Sequence, residues 1–271
     1  MPHDKHSVCL LIAIFIGLIL TASACSSMAL PIETILEAPA QLTPATPESL
    51  KVEETNTHYL EKNTLSSLTP EVPTTQPTPK EIAYSYPESF YIQGIVGHIQ
   101  VYELGCEASA AVDWANYFGK TIYEFNFQLE LPVSDNPDYG YVGDPNTDGW
   151  GQIPPYAYGV HSDPVAELLV AYGLPAQSKK GYTLDEIREK ISQKKPVIVW
   201  IIGNMEYSVP VEYVDSQGRK SIVAPYEHVV ILTGYDANTV RYMSNGRFYD
   251  VPNEVFLTSW AVLGNMAVVH E

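Results

Sequence analysis

A proline-rich segment near the start of the chain limits which residues can build a folded core. Prolines recur at positions 31, 39, 44, 47, 70, 73, 77 and 79, interleaved with Thr, Ser and Glu. Such a composition cannot bury enough apolar surface to offset the conformational entropy of the chain. We therefore expect residues 26–85 to form an extended, disordered tether, and residues 86–271 to form one domain of ordinary size.

An apolar run precedes the tether. Lys5 is followed by the apolar residues 8–20 and then by the small residues 22–24, a pattern typical of a secretory signal. The run is short for a membrane-spanning helix, which needs about 20 apolar residues. Cys25 follows at once, and this junction resembles a bacterial lipobox, with Ala22 in place of the usual leucine.

We therefore interpret residues 1–25 as an export signal ending at a lipidated Cys25. This interpretation predicts an extracytoplasmic, cell-surface lipoprotein of bacterial type that touches the membrane through its N-terminal anchor alone. Simple secretion after Ala24 and an uncleaved anchor are the alternatives.

The charge balance excludes several classes of partner. The chain carries 15 Lys and Arg against 32 Asp and Glu, a formal net charge of −17 at pH 7. A surface this acidic repels phosphate, which argues against nucleic-acid binding and against adsorption to anionic lipid headgroups. Hydrophobic residues make up 45% of the chain, enough for a well-formed core.

The patterning of the domain changes from helical to strand-like along the chain. Thr183 and Glu186 form a capping box at the start of one helix, and β-branched runs appear after Pro196. The order of elements indicates an α+β domain in which N-terminal helices pack on a mostly antiparallel sheet. Helices are predicted at 106–118, 162–172, 184–193 and 253–260, and strands at 197–202, 228–233, 239–244 and 266–270.

One cysteine stands out in the domain. With Cys9 in the signal and Cys25 at the lipobox, Cys106 is the remaining thiol and cannot form an internal disulfide. It is therefore either inert in the core or kept because it reacts. Cys106 falls in the first turn of a predicted helix, where free N–H groups and the helix dipole favour a thiolate and lower the thiol pKa.

Three other side chains complete a candidate site. Gln100 precedes Cys106 by six residues, so that its amide and the Cys106 N–H could bind an oxyanion. His228 opens a later strand and could act as a base, and Asn245 follows where it could orient the imidazole. A nucleophile, a base and an orienting group are the requirements of acyl transfer.

These residues resemble papain-like cysteine peptidases, and most closely the bacteriocin-processing, double-glycine-leader type and its stand-alone exported relatives. The likeness covers residues 90 to 271. The segments that carry it are Gln100, 104–110, 117–119, 159–161, 195–199 and 228–236. The resemblance implies a papain-like fold and a thiol peptidase-like hydrolase, with Cys106 as nucleophile, His228 as base, Asn245 as orienting residue and Gln100 at the oxyanion.

The chain departs from the family pattern in two places. Gly105 and Glu107 flank the cysteine where transporter-fused members have Asp and Gly, and Asn245 is followed by Gly246 where they have Asp followed by Pro. Asp236 and Asp250 therefore remain competitors for the third position. We expect Asp236 to serve a turn instead.

The sequence is consistent with three functional hypotheses. A peptidase is favoured, acting on a peptide or cell-wall peptide. An amidase or transpeptidase with the same triad, and a non-catalytic peptide-binding module of the same fold, are the alternatives. No cofactor or metal is expected, because residues 144–149 copy only half of a calcium loop, with Pro155 where the loop needs Glu.

Overall fold

The structure is a computed structural model, and it describes residues 85–147 and 149–271. The expected export signal, the lipidation site Cys25 and nearly all of the expected tether lie outside these residues. In the described part the helices are α1 (Cys106–Tyr117), α2 (Glu124–Glu130), α3 (Ser162–Ala171), α4 (Leu184–Ser192) and α5 (Asn253–Ala261). The strands are β1 (Phe90–Tyr91), β2 (Ala176–Lys179), β3 (Val197–Ile202), β4 (Val211–Val214), β5 (Lys220–Val223), β6 (Glu227–Tyr235), β7 (Thr239–Ser244), β8 (Arg247–Pro252) and β9 (Ala267–His270).

The main sheet has the strand order β2-β9-β3-β6-β7-β8, with β1 also paired to β6. Every strand pair in the described residues is antiparallel, including the β4–β5 hairpin outside this sheet. The α+β class with a mostly antiparallel sheet is therefore confirmed. Among the described residues, no helix is both long enough and apolar enough to cross a membrane.

The centre of the sheet is covered on both faces. Each residue of β3 is buried, a pattern expected for a strand whose two faces both contact other elements. The helices α1, α4 and α5 all contact β3. The Trp114 indole of α1 donates to the Pro196 carbonyl at 2.8 Å, which ties this helix to the start of β3.

Helix α1 is buried along most of its length and brings its N-terminus to the sheet. Its residues from Glu107 to Ala115 are all buried, and four of them are alanines, whose small side chains allow close approach to β6. Phe118 and Gly119 follow the helix, and Gly119 has φ +80°, as the predicted glycine stop requires.

Helix α1 also holds the loop that precedes it. The His98 ring contacts Asp113 of α1 at 2.7 Å and Glu124 of α2 at 2.6 Å. The Asp113 and Glu124 hydrogen bonds raise the pKa of His98 above its ordinary value, although partial burial opposes them. The loop that carries Gln100 is thus held against both helices.

The turn between β7 and β8 places the end of β7 beside the loop that precedes α1. Asn245 and Gly246 both have positive φ, +50° and +70°, and they join Ser244 to its partner Arg247. A two-residue Asn-Gly turn of this kind matches the twist of a hairpin. This turn sets the end of β7 beside the N-terminal loop, since a Cβ at Gly246 would lie 2.8 Å from the Gly97 carbonyl oxygen.

Candidate active site

The four site residues predicted within the domain all line one cavity of about 400 Å³. Cys106 enters it from the first turn of α1, and His228 from β6. Gln100 belongs to the loop before α1, and Asn245 to the β7–β8 turn. Residues far apart in the chain therefore line one site.

Cys106 is the first residue of α1 and is partly exposed. Its backbone N–H has no carbonyl partner within the helix, because the first turn of any α-helix leaves such groups free. The thiol Sγ donates to Glu107 Oε2 at 3.3 Å. The thiol is thus in contact with a carboxylate from the next residue.

The electrostatic surroundings of Cys106 contradict the expected low thiol pKa. Burial raises the pKa of the Cys106 thiol well above its ordinary value, and the charges of Glu107 and Glu227 raise it further. The Val229 N–H acts in the opposite direction but does not offset them. The helix terminus is where the sequence predicted it, but burial of the thiol and the two nearby acids raise the thiol pKa.

His228 bonds a residue that the sequence analysis passed over. Its Nε2 lies 2.9 Å from Ser244 Oγ, at the end of the neighbouring strand. Burial lowers the pKa of His228 to about 4. Near neutral pH the site therefore holds a neutral thiol and a neutral imidazole, in place of a preformed ion pair.

Asn245 has a different contact from the one expected. Its Oδ1 accepts from the Gln100 backbone N–H at 3.0 Å. Its side chain therefore ties the hairpin turn to the loop before α1, and the hydroxyl of Ser244 takes the place beside the imidazole. The competitors are engaged elsewhere. Asp236 accepts from Asn238 N and Thr239 N, as a turn residue does, and Asp250 pairs with Arg241.

Gln100 lines the cavity, but its amide donors are in use. Nε2 donates to the Tyr102 carbonyl at 2.8 Å and to the Glu103 carbonyl at 3.0 Å. Both N–H bonds of the amide are thus directed at the chain that leads into α1. In this arrangement the side chain shapes the loop.

Two buried carboxylates lie beside the thiol. Glu107 is 1% exposed and Glu227 is 5% exposed. Glu107 Oε1 accepts from Val160 N at 2.6 Å, whereas Glu227 Oε1 has no hydrogen-bond partner in the part of the chain that the structure describes. Burial raises the pKa of Glu107 to about 7, and burial together with the Glu107 charge raises the pKa of Glu227 well above its ordinary value.

Gly159 makes room for this pair of acids. It has φ +124°, and an added Cβ would overlap Glu107 Oε1 and lie 3.4 Å from Glu227 Oε2. A side chain at this position would therefore displace the Glu107 carboxyl group. The potential ligand atoms of Cys106, Glu107 and Glu227 all lie within 4.8 Å of one another, so these three residues could hold a metal ion.

Aromatic side chains form much of the remaining wall. Trp150, Tyr158, Tyr242 and Tyr249 line the cavity. Tyr242 and Tyr249 stack at 5.1 Å between ring centroids, and the exposed Trp150 packs edge-on against Tyr226 at the same distance. Such a wall suits a substrate with apolar groups.

The residues that the sequence analysis missed are Glu107, Glu227 and Ser244. A signal existed for the two acids, because each is adjacent in sequence to one of the two reactive residues. Ser244 carried none, since serine is common and its role depends on the pairing of β6 with β7.

The fold and the family match over residues 91–268 identify the chain as a cysteine peptidase-like hydrolase of the papain-like superfamily, as the resemblance implied. The Peptidase_C39 like family matches residues 91–268, and the chain belongs to this family. No curated protein matches the chain.

Two solved structures are similar to this chain. One is a protein from Bacillus anthracis described as a C39-like peptidase, with a TM-score of 0.61 and 21% identity, covering 68% of this chain and 98% of its own. At that identity the match concerns the fold. The other is xylellain, a cysteine protease from Xylella fastidiosa, with a TM-score of 0.36 and 13% identity, covering 69% and 87%.

Proposed function

We propose that this chain is an extracytoplasmic thiol peptidase that cleaves peptide bonds through Cys106 and His228. The observation that carries the proposal is the shared cavity, which a thiol at a helix N-terminus and an oriented imidazole both line. Both groups are required for thiol-based acyl transfer.

The hydrogen bond to Ser244 supports a specific role for each imidazole nitrogen. When Nε2–H donates to Ser244 Oγ, Nδ1 keeps its lone pair and can accept the thiol proton. We assign Ser244 as the positioning residue for His228. Asn245 then positions the Gln100 loop through its contact with the Gln100 backbone.

The first half of the reaction forms a thioester. Sγ bonds to the substrate carbonyl carbon while the thiol proton moves to His228. The negative charge collects on the carbonyl oxygen, where the free Cys106 N–H donates to it. The carbon–nitrogen bond then breaks, and His228 gives its proton to the departing amine.

The second half releases the acid. His228 takes a proton from water, and the resulting hydroxide adds to the thioester. The carbon–sulfur bond then breaks, the free acid leaves, and His228 returns its proton to sulfur to regenerate the thiol. Because the resting pair is neutral, proton transfer accompanies the attack. The Gln100 amide joins the oxyanion site only by exchanging one of its two carbonyl partners.

Peptide hydrolysis by the full chain tests this proposal. Cys106→Ala should abolish both cleavage of a peptide library and labelling by a thiol-directed peptide probe, a loss of at least about 10³-fold. Cys25→Ser is the matched control, because it removes a thiol outside the domain and should leave cleavage unchanged. Cleavage by Cys106→Ala at the wild-type rate would refute the proposal.

The same assay separates the alternatives. Adding an amine acceptor distinguishes hydrolysis, which yields a free acid, from an amidase or transpeptidase that yields a new amide. A chain that binds peptides but neither cleaves nor labels would be a binding module. Export and lipidation are tested separately, since Cys25→Ser should abolish incorporation of a labelled fatty acid.

A further inference from the structure

We propose that Cys106, Glu107 and Glu227 form a binding site for one divalent cation of the zinc class, and that an ion bound there reversibly blocks the nucleophile. The binding claim stands on these three side chains alone. Only its inhibitory consequence rests on the proposed function.

The donor atoms have suitable types and separations. Their mutual distances are all below 4.8 Å, and Cys106 Sγ lies 3.3 Å from Glu107 Oε2. A tetrahedral zinc ion bound by one sulfur and one carboxylate oxygen separates these atoms by about 3.5 Å. The ligand atoms therefore need only small shifts to reach bonding geometry.

The two buried acids beside the thiol have no basic partner in the described part of the chain. Among the described residues, neither Glu107 nor Glu227 forms an ion pair with a Lys, an Arg or a His. Burial without such a partner favours the protonated acids, and a bound cation would stabilise their ionised forms. Among the described residues, Glu227 Oε1 is buried without a hydrogen-bond partner, so its lone pairs are available to an ion.

The Glu107 carboxyl group is held in place by a backbone hydrogen bond from a residue outside the proposed metal site. Val160 N donates to Glu107 Oε1 at 2.6 Å and fixes the carboxylate while Oε2 faces the thiol. Metal-binding carboxylates are commonly held by hydrogen bonds of this type. Gly159 supplies the space, because a side chain there would overlap Glu107 Oε1.

The mixed donor set selects the kind of ion. Magnesium and calcium prefer oxygen donors alone, and copper(I) prefers sulfur. Zinc accepts thiolate and carboxylate together and leaves a fourth position for water. Access is through the cavity, since Cys106 is partly exposed there.

Binding exchanges protons for the ion without any redox change. The Sγ–H proton leaves to solvent as the metal–sulfur bond forms, and each carboxyl group that carries a proton releases it to solvent as its oxygen binds the ion. The sulfur lone pair that would attack the substrate is then shared with the metal. A chelator removes the ion and reprotonation restores the thiol.

Cobalt(II) titration of the chelator-treated full chain tests the site. One equivalent should produce a thiolate-to-cobalt charge-transfer band in the near ultraviolet, and zinc should displace it. Cys106→Ser should abolish the band, and Glu227→Gln and Glu107→Gln should each weaken binding at least about tenfold. Glu254→Gln, at an exposed acid on α5, should bind as the wild type does.

His228→Ala separates this site from simple thiol–imidazole chelation, and it should retain the band. The proposal is overturned if the wild type gives no band, if Glu227→Gln binds cobalt as tightly as the wild type, or if His228→Ala loses the band. Should Glu107→Gln misfold, Glu227→Gln decides.

The readout also keeps this proposal separate from the proposed function. A wild-type chain that binds cobalt but cleaves no peptide would refute the peptidase and leave the metal site standing. A chain that cleaves peptides, gives no cobalt band and is not inhibited by zinc would refute the metal site and leave the peptidase standing.

Discussion

Replacing Ser244 by valine, and in parallel by threonine, isolates one hydrogen bond at the proposed catalytic histidine. Valine and threonine have nearly the same shape, and only threonine keeps a hydroxyl that can meet His228 Nε2 at the observed 2.9 Å. The comparison therefore removes the hydrogen bond while holding the added volume constant.

The expected size follows from the hydrogen bond itself. A neutral hydrogen bond is worth about 0.5–1.5 kcal/mol net, which corresponds to about two- to twelvefold in rate at about 1.4 kcal/mol per decade. Because this bond also fixes the imidazole tautomer, we expect the upper part of that range. Ser244→Val should therefore have a kcat about tenfold below that of Ser244→Thr, with a similar KM.

Steady-state peptide hydrolysis measures the effect, and thermal unfolding of both variants checks that their stabilities match. Equal kcat values for the two variants would refute the assignment of Ser244. Asn245→Gly tests the original expectation, since glycine tolerates the φ of +50° at this position. A larger loss of kcat in Asn245→Gly than in Ser244→Val would return the orienting role to Asn245.

Three further predictions concern the surroundings of the site. Gly159→Ala should lower the free energy of unfolding by about 1–3 kcal/mol more than Gly264→Ala, because both positions have positive φ but only the first would overlap Glu107; equal losses in urea unfolding would contradict this. The raised pKa of His98 means that its stabilising contribution is complete below pH 6.5 and is lost as pH rises through the higher folded-state pKa. The free energy of unfolding measured across that pH range should decline in the wild type and change less in His98→Gln. Parallel curves for the two proteins would contradict this role of His98. Trp150→Ala should raise KM several-fold without changing thermal stability, since the side chain is 55% exposed at the cavity rim; an unchanged KM would remove Trp150 from the substrate wall.

The helices and strands that the sequence predicted are those with strong local signals. The capping box of Thr183 and Glu186 is present at the start of α4, with both of its hydrogen bonds. The apolar runs of β3 and β6 are buried strands. In each case local chemistry and tertiary packing favour the same conformation.

The elements that were missed have weak local signals. Strand β8 is exposed along most of its length, so its sequence shows no burial pattern, and it owes its place to pairing with β7. Helix α2 is seven residues long, too short for a clear helical period. Their formation depends on neighbours that a local reading cannot see.

At the site, too, the residues with a local signal could be predicted, and the features that depend on tertiary neighbours could not. Cys106 and His228 could be singled out because thiols and imidazoles are rare and reactive. The raised thiol pKa could not be foreseen from the helix terminus, because it depends first on burial of the thiol and then on the charges of Glu107 and of Glu227, which lies on the strand that also carries His228. Which polar residue meets the imidazole depends on where β7 ends.

The most direct measurement is to trap the intermediate. The wild-type chain is mixed with a peptide ester, quenched in acid, digested and mapped by mass spectrometry. An acyl group on Cys106, absent in Cys106→Ser and slow to form in His228→Ala, is the predicted result. An acyl group on a different residue, or formation that is equally fast without His228, would contradict the account.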